Sequence, residues 1–215
     1  MDTTIYDKLS TTSTIVSFLP PLIGLVFLRN MRGYLVPVLV LALCGLLTDG
    51  INYALMQSGV SNLPLFHFYT LLEFTLMSVM YFVFYKQYVK RNYIFLFMIP
   101  AFYIVGYIDY LLHGLNCIDN LSASIESVIL TIYALISFLI IMNKLIFKNL
   151  LSAPFFWVNS GILLYFLGNL LIFAFCTYTN ESERVDTQAV WALHSILNII
   201  FNLLICVAFW ETRAK

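Results

Sequence analysis

Apolar residues run along this chain in long blocks rather than in alternation. Seven blocks are long enough to cross a bilayer as helices, which takes about 20 mostly apolar residues. They cover residues 13–29, 34–56, 63–85, 92–113, 121–147, 153–177 and 187–210. The polar stretches between them are short. The pattern therefore predicts an all-α integral membrane protein, a single seven-helix transmembrane domain over residues 1–215. The first block is the shortest, and Pro20 and Pro21 predict a kink in it, because neither ring nitrogen carries an N–H. Its leader, MDTTIYDKLS, holds two Asp against one Lys, and no small-residue cleavage motif follows. It reads as a retained span rather than a cleaved signal.

Composition agrees with that pattern: 61% of residues are hydrophobic and 10% charged, against about 25% charge in soluble domains. A formal net charge of zero argues against a nucleic-acid partner, for which a basic patch is expected. The distribution of charge sets the orientation. Of the 11 Lys and Arg, Arg29, Arg32, Lys86, Lys90, Arg91, Lys144, Lys148, Arg213 and Lys215 flank one side of the seven-span plan. Lys8 and Arg184 alone flank the other. Basic residues collect in cytoplasmic loops, so the N-terminus is expected outside and the C-terminus in the cytoplasm. The outer side is acidic, with Asp2, Asp7, Asp119, Glu181, Glu183 and Asp186.

Under that topology the polar residues of the spans gather in the outer halves. Asp49 and Asn52 lie in the second span, His67, Tyr69, Thr70 and Glu73 in the third, and Tyr107, Asp109, Tyr110 and His113 at the end of the fourth. Ser122, Ser124, Glu126 and Ser127 open the fifth, Tyr165 and Asn169 lie in the sixth, and Trp191, His194, Ser195 and Asn198 in the seventh. The inner halves are mostly Leu, Ile, Val and Phe. This points to a polar cavity open to the outside and floored by an apolar plug. Its expected ligand contacts are Asp49, Asn52, His67, Tyr69, Thr70, Glu73, Asp109, Glu126, Asn169, Trp191, His194 and Asn198.

An ionisable side chain at mid-membrane costs about 3 kcal/mol on insertion scales, so such groups usually mark function. No Lys or Arg stands within a span to balance Asp49, Glu73, Asp109 and Glu126. They must be protonated, partnered by His67, His113 or His194, or matched by what binds. An acidic pocket without a fixed cation suits an amine, another cation or a proton. Plainer roles stay open for several of them. Asp109 and Glu126 lie near the outer interface, where water can solvate them. Tyr107, Tyr110 and Trp191 fit an interfacial aromatic belt. Asn198 and Asn202 fit interhelical hydrogen bonding.

The chain also compares with itself. Laid on the seventh span, the third pairs Thr70 with Ser195, Leu72 with Leu197, Glu73 with Asn198, Phe84 with Phe209 and Tyr85 with Trp210. Laid on the sixth, the second pairs Pro37 with Pro154 and Asn52 with Asn169. Read as a repeat, this is a 3+1+3 plan of parallel halves joined by the fourth span, and ligand sites form between such halves.

The 3+1+3 plan, the length and the outward N-terminus resemble the SWEET-type sugar transporters across nearly the whole chain. The paired membrane asparagines of those transporters have counterparts in Asn198 and in Asn52 with Asn169. The Pro-Gln pair of the related PQ-loop proteins is absent, and the fifth span lacks the proline such transporters bend at. Over most of its length the chain also resembles uncharacterised bacterial seven-helix proteins, through YTLLEF (69–74), FFWVNSGILLYFLGN (155–169) and HSILNIIFN (194–202). Proteins of that kind accompany sensor kinases. The resemblance implies a sensory role in a bacterial inner membrane and implies no catalytic residues. Microbial rhodopsins are excluded, because the seventh span has no lysine to hold retinal.

Enzyme chemistry has little to stand on. His67, His194 and Asp49 are the residues that could ligate zinc. An alkaline-ceramidase-like His pair on the last span is missing its second member, where Asn198 stands. No HExxH, GxSxG or Gly-rich phosphate loop occurs, and no cofactor is implied. Cys44 and Cys206 lie within spans. Cys117 and Cys176 share the outer, oxidising side, where a disulfide can form. Three classes of function remain: a small-ligand receptor or sensor acting through a membrane partner or a second copy, a small-solute or proton-coupled transporter, and a metal-dependent hydrolase. The apolar inner halves favour the first, and the short inner loops, which leave little surface for a cytosolic partner, confine its signal to helix contacts in the membrane.

Overall fold

The computed structural model describes residues 3–86, 88–90, 92–115, 120–179 and 187–213. All its regular elements among these residues are helical. They are α1 (Thr3–Ser17), α2 (Leu19–Val26), α3 (Val36–Gln57), α4 (Leu63–Tyr85), α5 (Ile94–His113), α6 (Asn120–Lys144), α7 (Pro154–Thr179) and α8 (Thr187–Trp210). Seven helical stretches are long and apolar enough to cross a membrane, the first being α1 and α2 taken together as Lys8–Val26. The chain is a multi-pass membrane protein. Exposed Val, Leu, Ile and Phe side chains on nearly every helix are what a lipid-facing surface requires.

The first span departs from its expected bounds. Its helix begins at Thr3, well before residue 13, and runs through a Thr- and Ser-rich segment. Those hydroxyls turn back on the helix itself: Thr12 Oγ1 donates to the Lys8 carbonyl at 2.7 Å and Thr14 Oγ1 to that of Ser10 at 3.2 Å. A polar stretch thereby satisfies its own side chains without leaving the helix. The prolines then break it. Pro20 and Pro21 occupy the first turn of α2, where a missing N–H is harmless to the new helix. The carbonyls one turn earlier lose their partners, so α1 stops at Ser17.

Helix ends elsewhere follow local chemistry. Gly114 ends α5 with φ 72° and its N–H on the Tyr110 carbonyl at 2.8 Å. At the end of α6 the same left-handed position falls to Leu145, φ 47°. The N–H of Ile146 reaches the Ile141 carbonyl and that of Leu145 the Met142 carbonyl, the paired closure that usually recruits glycine.

The chain forms two compact units, Met31–Glu126 and the combination of Met1–Asn30 with Ser127–Lys215. In the first, α3, α4 and α5 pack around Phe74, Met77, Met80, Tyr81, Tyr85 and Phe102, all nearly or fully enclosed. Phe74 stacks on Phe102 with ring centroids 4.1 Å apart, and Tyr81 and Tyr85 both stack on Phe95. In the second, α8 packs on α7, α1 and α2. Two glycines of α7 set its distance from α8. A Cβ on Gly161 would come within 3.2 Å of Phe201, and one on Gly168 within 2.6 Å of Leu197. Small residues let membrane helices approach until van der Waals packing becomes effective.

Candidate functional site

In the unit Met31–Glu126, α4 turns one face into protein. His67, Thr70 and Glu73 follow one another along it at three-residue steps, each 7% exposed. Helical periodicity makes them neighbours, and their burial keeps Glu73 off the lipid. Beyond Glu73 the enclosed face becomes Phe74, Met77, Met80, Tyr81, Phe84 and Tyr85, interrupted only by the small Ser78. Apart from Ser78 and the tyrosine hydroxyls, the polar groups thus occupy the first half of the helix. Tyr69 is half-buried on α4, and its hydroxyl lies against Gly45 of α3. Asp49 stands on an exposed position of α3. Asn52 accepts a short hydrogen bond from the Asn62 amide. Asn62 sits at the N-cap of α4 without capping it, because its side chain ties α3 to α4 instead.

The same unit holds a second acidic group. Asp109 near the end of α5 is fully enclosed. Its Oδ2 accepts the Ser122 backbone N–H at 3.0 Å and the Ser122 hydroxyl at 2.7 Å, and its Oδ1 lies 2.8 Å from His113 Nδ1. Ser122 is the third residue of α6, so its N–H is one of the donors a helix start leaves unpaired. A carboxylate there also meets the positive end of the helix dipole. The solvated interfacial role open to Asp109 on sequence grounds is thus corrected: α6 begins directly against it and shuts water out. Glu126, one turn along α6, is likewise 3% exposed rather than solvated. Asp, His and Ser meet here without forming a nucleophilic triad. The Ser122 hydroxyl donates to the carboxylate and not to the imidazole, so His113 is not placed to take its proton.

In the other unit the polar residues of α8 are spent on its neighbours. His194 Nδ1 lies 2.9 Å from Asn169 Oδ1 of α7. An amide oxygen can only accept, so this contact is a hydrogen bond in the tautomer that carries its proton on Nδ1. The His194 ring also lies 5.8 Å from that of Tyr165 and edge-on to Trp191 at 6.0 Å. Asn198 donates to the Ser13 hydroxyl of α1 at 2.9 Å, and Asn202 donates back to the Asn198 carbonyl and side chain. Asn159 of α7 donates to the Ala134 carbonyl of α6 at 3.0 Å. Trp191, Tyr107 and Tyr110 are exposed, as aromatic residues at a membrane interface are.

Within each unit the structure brings some of the sequence-based candidates together. His67, Thr70 and Glu73 share a face; Asn169, His194 and Trp191 form a contact cluster; Asp109 clamps α6. Ser13 and Asn62 went unnoticed as partners, because one lies in a hydroxyl-rich stretch and the other in a loop. Among the described residues no three His, Cys, Asp or Glu could hold a metal ion together. Cys44 and Cys206 are free thiols, while Cys117 and the Cys176 side chain, and so their disulfide, lie outside the described residues. No protein-family model, no curated protein and no solved structure matches the chain.

Proposed function

We propose that this membrane protein is a receptor or sensor for a small ligand, an amine or another cation, admitted from the outer side. Glu73 is the charge that meets the ligand, and His67 and Thr70 are its polar neighbours along α4. The division of α4 carries this reading. Its enclosed face is polar as far as Glu73 and, apart from the small Ser78, aromatic and methionine packing beyond it. A binding site needs the first half, whereas a transport route along this face would need polar groups in the second. The distribution of basic residues supports an outward N-terminus. The loops on the basic side are short, so a signal leaves through helix contacts within the membrane, to a partner or a second copy.

Three measurements test this. Amines and metal cations are screened for thermal stabilisation of the purified protein. The expected stabilisation by a bound cation disappears in Glu73→Gln, which keeps the shape and loses the charge, while the unliganded melting temperature stays equal or rises. An undiminished shift in that variant removes Glu73 from the site. Accumulation of the stabilising compound inside proteoliposomes makes the protein a transporter instead. For orientation, a reporter fused after residue 213 reads cytoplasmic, and an accessible cytoplasmic N-terminus would reverse the proposal.

A further inference from the structure

Where α3 begins and α4 ends, the chain opens a cleft of about 470 Å³ lined by Arg32, Gly33, Tyr34, Val83, Phe84, Lys86 and Tyr88. That volume falls within the range of about 300–1,000 Å³ usual for small-molecule sites. Two cations from distant parts of the sequence reach one concavity. Arg32 precedes α3 and Lys86 caps α4. Both are exposed, and neither is in an ion pair among the described residues. The floor is firm. Tyr34 is 7% exposed and meets Phe84 edge-on at 5.1 Å, and Phe84 in turn contacts the Tyr88 ring at 5.4 Å.

Depth tells what such a cleft is for. The membrane-crossing stretches of this corner are Gly33–Leu55 and Leu63–Tyr85. Arg32 and Lys86 are thus the residues immediately outside the hydrocarbon at the same end of both helices, at headgroup level. Basic residues that only orient a membrane protein need to be on one side; they have no need of a shared, aromatic-floored recess. A guanidinium and an ammonium, with no carboxylate among the lining residues, are matched to a phosphate, the first through a fork of N–H donors and the second as a point charge.

We propose that this cleft binds the phosphate of an anionic phospholipid headgroup, with Arg32 and Lys86 as its cationic contacts and the Tyr34–Phe84 pair as its floor. The lipid's acyl chains run along the exposed Val83 side, where the helices already face hydrocarbon. The site is independent of the ligand proposed for α4, and a failure of either leaves the other standing.

The test is native mass spectrometry of the full chain, exchanged into mixtures of phosphatidylglycerol and phosphatidylcholine. Retained phosphatidylglycerol is expected to exceed phosphatidylcholine. Each cation near an anionic headgroup contributes about 1 kcal/mol, so R32Q and K86Q should each lower phosphatidylglycerol retention about fivefold, and R32Q/K86Q about 25-fold. The charge-matched K144Q/K148Q should retain it as the wild type does. Equal losses in both double variants, or none in R32Q/K86Q, overturn the proposal. Inorganic phosphate is tested alone in detergent. Phosphate bound through Arg32 and Lys86 with no preference for phosphatidylglycerol overturns the lipid source and assigns the cleft to a soluble phosphate. Circular dichroism checks each fold; should the double variant fail to fold, the single variants decide.

Discussion

Two helices, one in each compact unit, carry polar residues along a face at nearly the same spacing, and they use them differently. On α8 the residues are His194, Asn198 and Asn202, and each has a neutral partner: Asn169 on α7, Ser13 on α1, or the adjoining turn of α8 itself. On α4 they are His67, Thr70 and Glu73, all nearly enclosed, and the deepest is a carboxyl. Amides are inexpensive glue in a membrane, about 0.6 kcal/mol per interhelical contact. A carboxyl at that depth costs several times as much and can change charge. Spacing along a helix reveals that a face is polar; the residue type sets what it costs to hold that face in hydrocarbon. Asp109 is the instructive third case, a carboxyl with a structural task because a helix start supplies its donors.

Asp109 offers the largest test of that distinction. Asp109→Ala leaves the Ser122 N–H, the Ser122 hydroxyl and His113 without their acceptor, and should destabilise the protein by about 3 kcal/mol. Asp109→Asn, which keeps an acceptor, should recover much of it. Denaturant unfolding in detergent measures both, and a loss below about 1 kcal/mol would return Asp109 to the ligand-binding candidates.

Packing comes next. Gly168→Val puts a branched side chain where a single Cβ already lies 2.6 Å from Leu197. Overpacking of this kind costs about 2 kcal/mol, and the same substitution at Gly50, where a Cβ meets nothing within 4 Å, should cost far less. Equal effects would show that α7 and α8 do not depend on that close approach. The smallest effect sharpens the comparison most. A double-mutant cycle of Ser13→Ala with Asn198→Ala should give a coupling of about 0.6 kcal/mol, with ligand stabilisation unchanged. If Asn198→Ala abolished that stabilisation instead, α8 would belong to the binding site and the contrast between the two helices would fail.

Much of the fold was legible in the sequence for a simple reason. Hydrocarbon demands long apolar helices, so the third span and α4 share the limits 63–85, the seventh span and α8 share 187–210, and the others shift by a few residues. The exception is the first, whose start was placed at residue 13. Hydropathy cannot see that Thr12 and Thr14 bond back to their own helix and let it begin at Thr3. The Pro20–Pro21 break, by contrast, follows from the missing N–H groups wherever the helix lies.

The candidate site was legible as a list of residues and not as an arrangement. Sequence alone determined that Glu73, Asp109, His194 and Asn198 sit within apolar helices, because each residue type and its neighbours along the helix are local facts. Only the tertiary structure decided the partners of Asp109, His194 and Asn198. Asp109 meets Ser122 because α6 starts against the end of α5, and Asn198 meets Ser13 because the first helix packs on the last, 185 residues away along the chain. A hydrogen bond acts over about 3 Å, and no pattern of spacing states which distant helix will supply the partner.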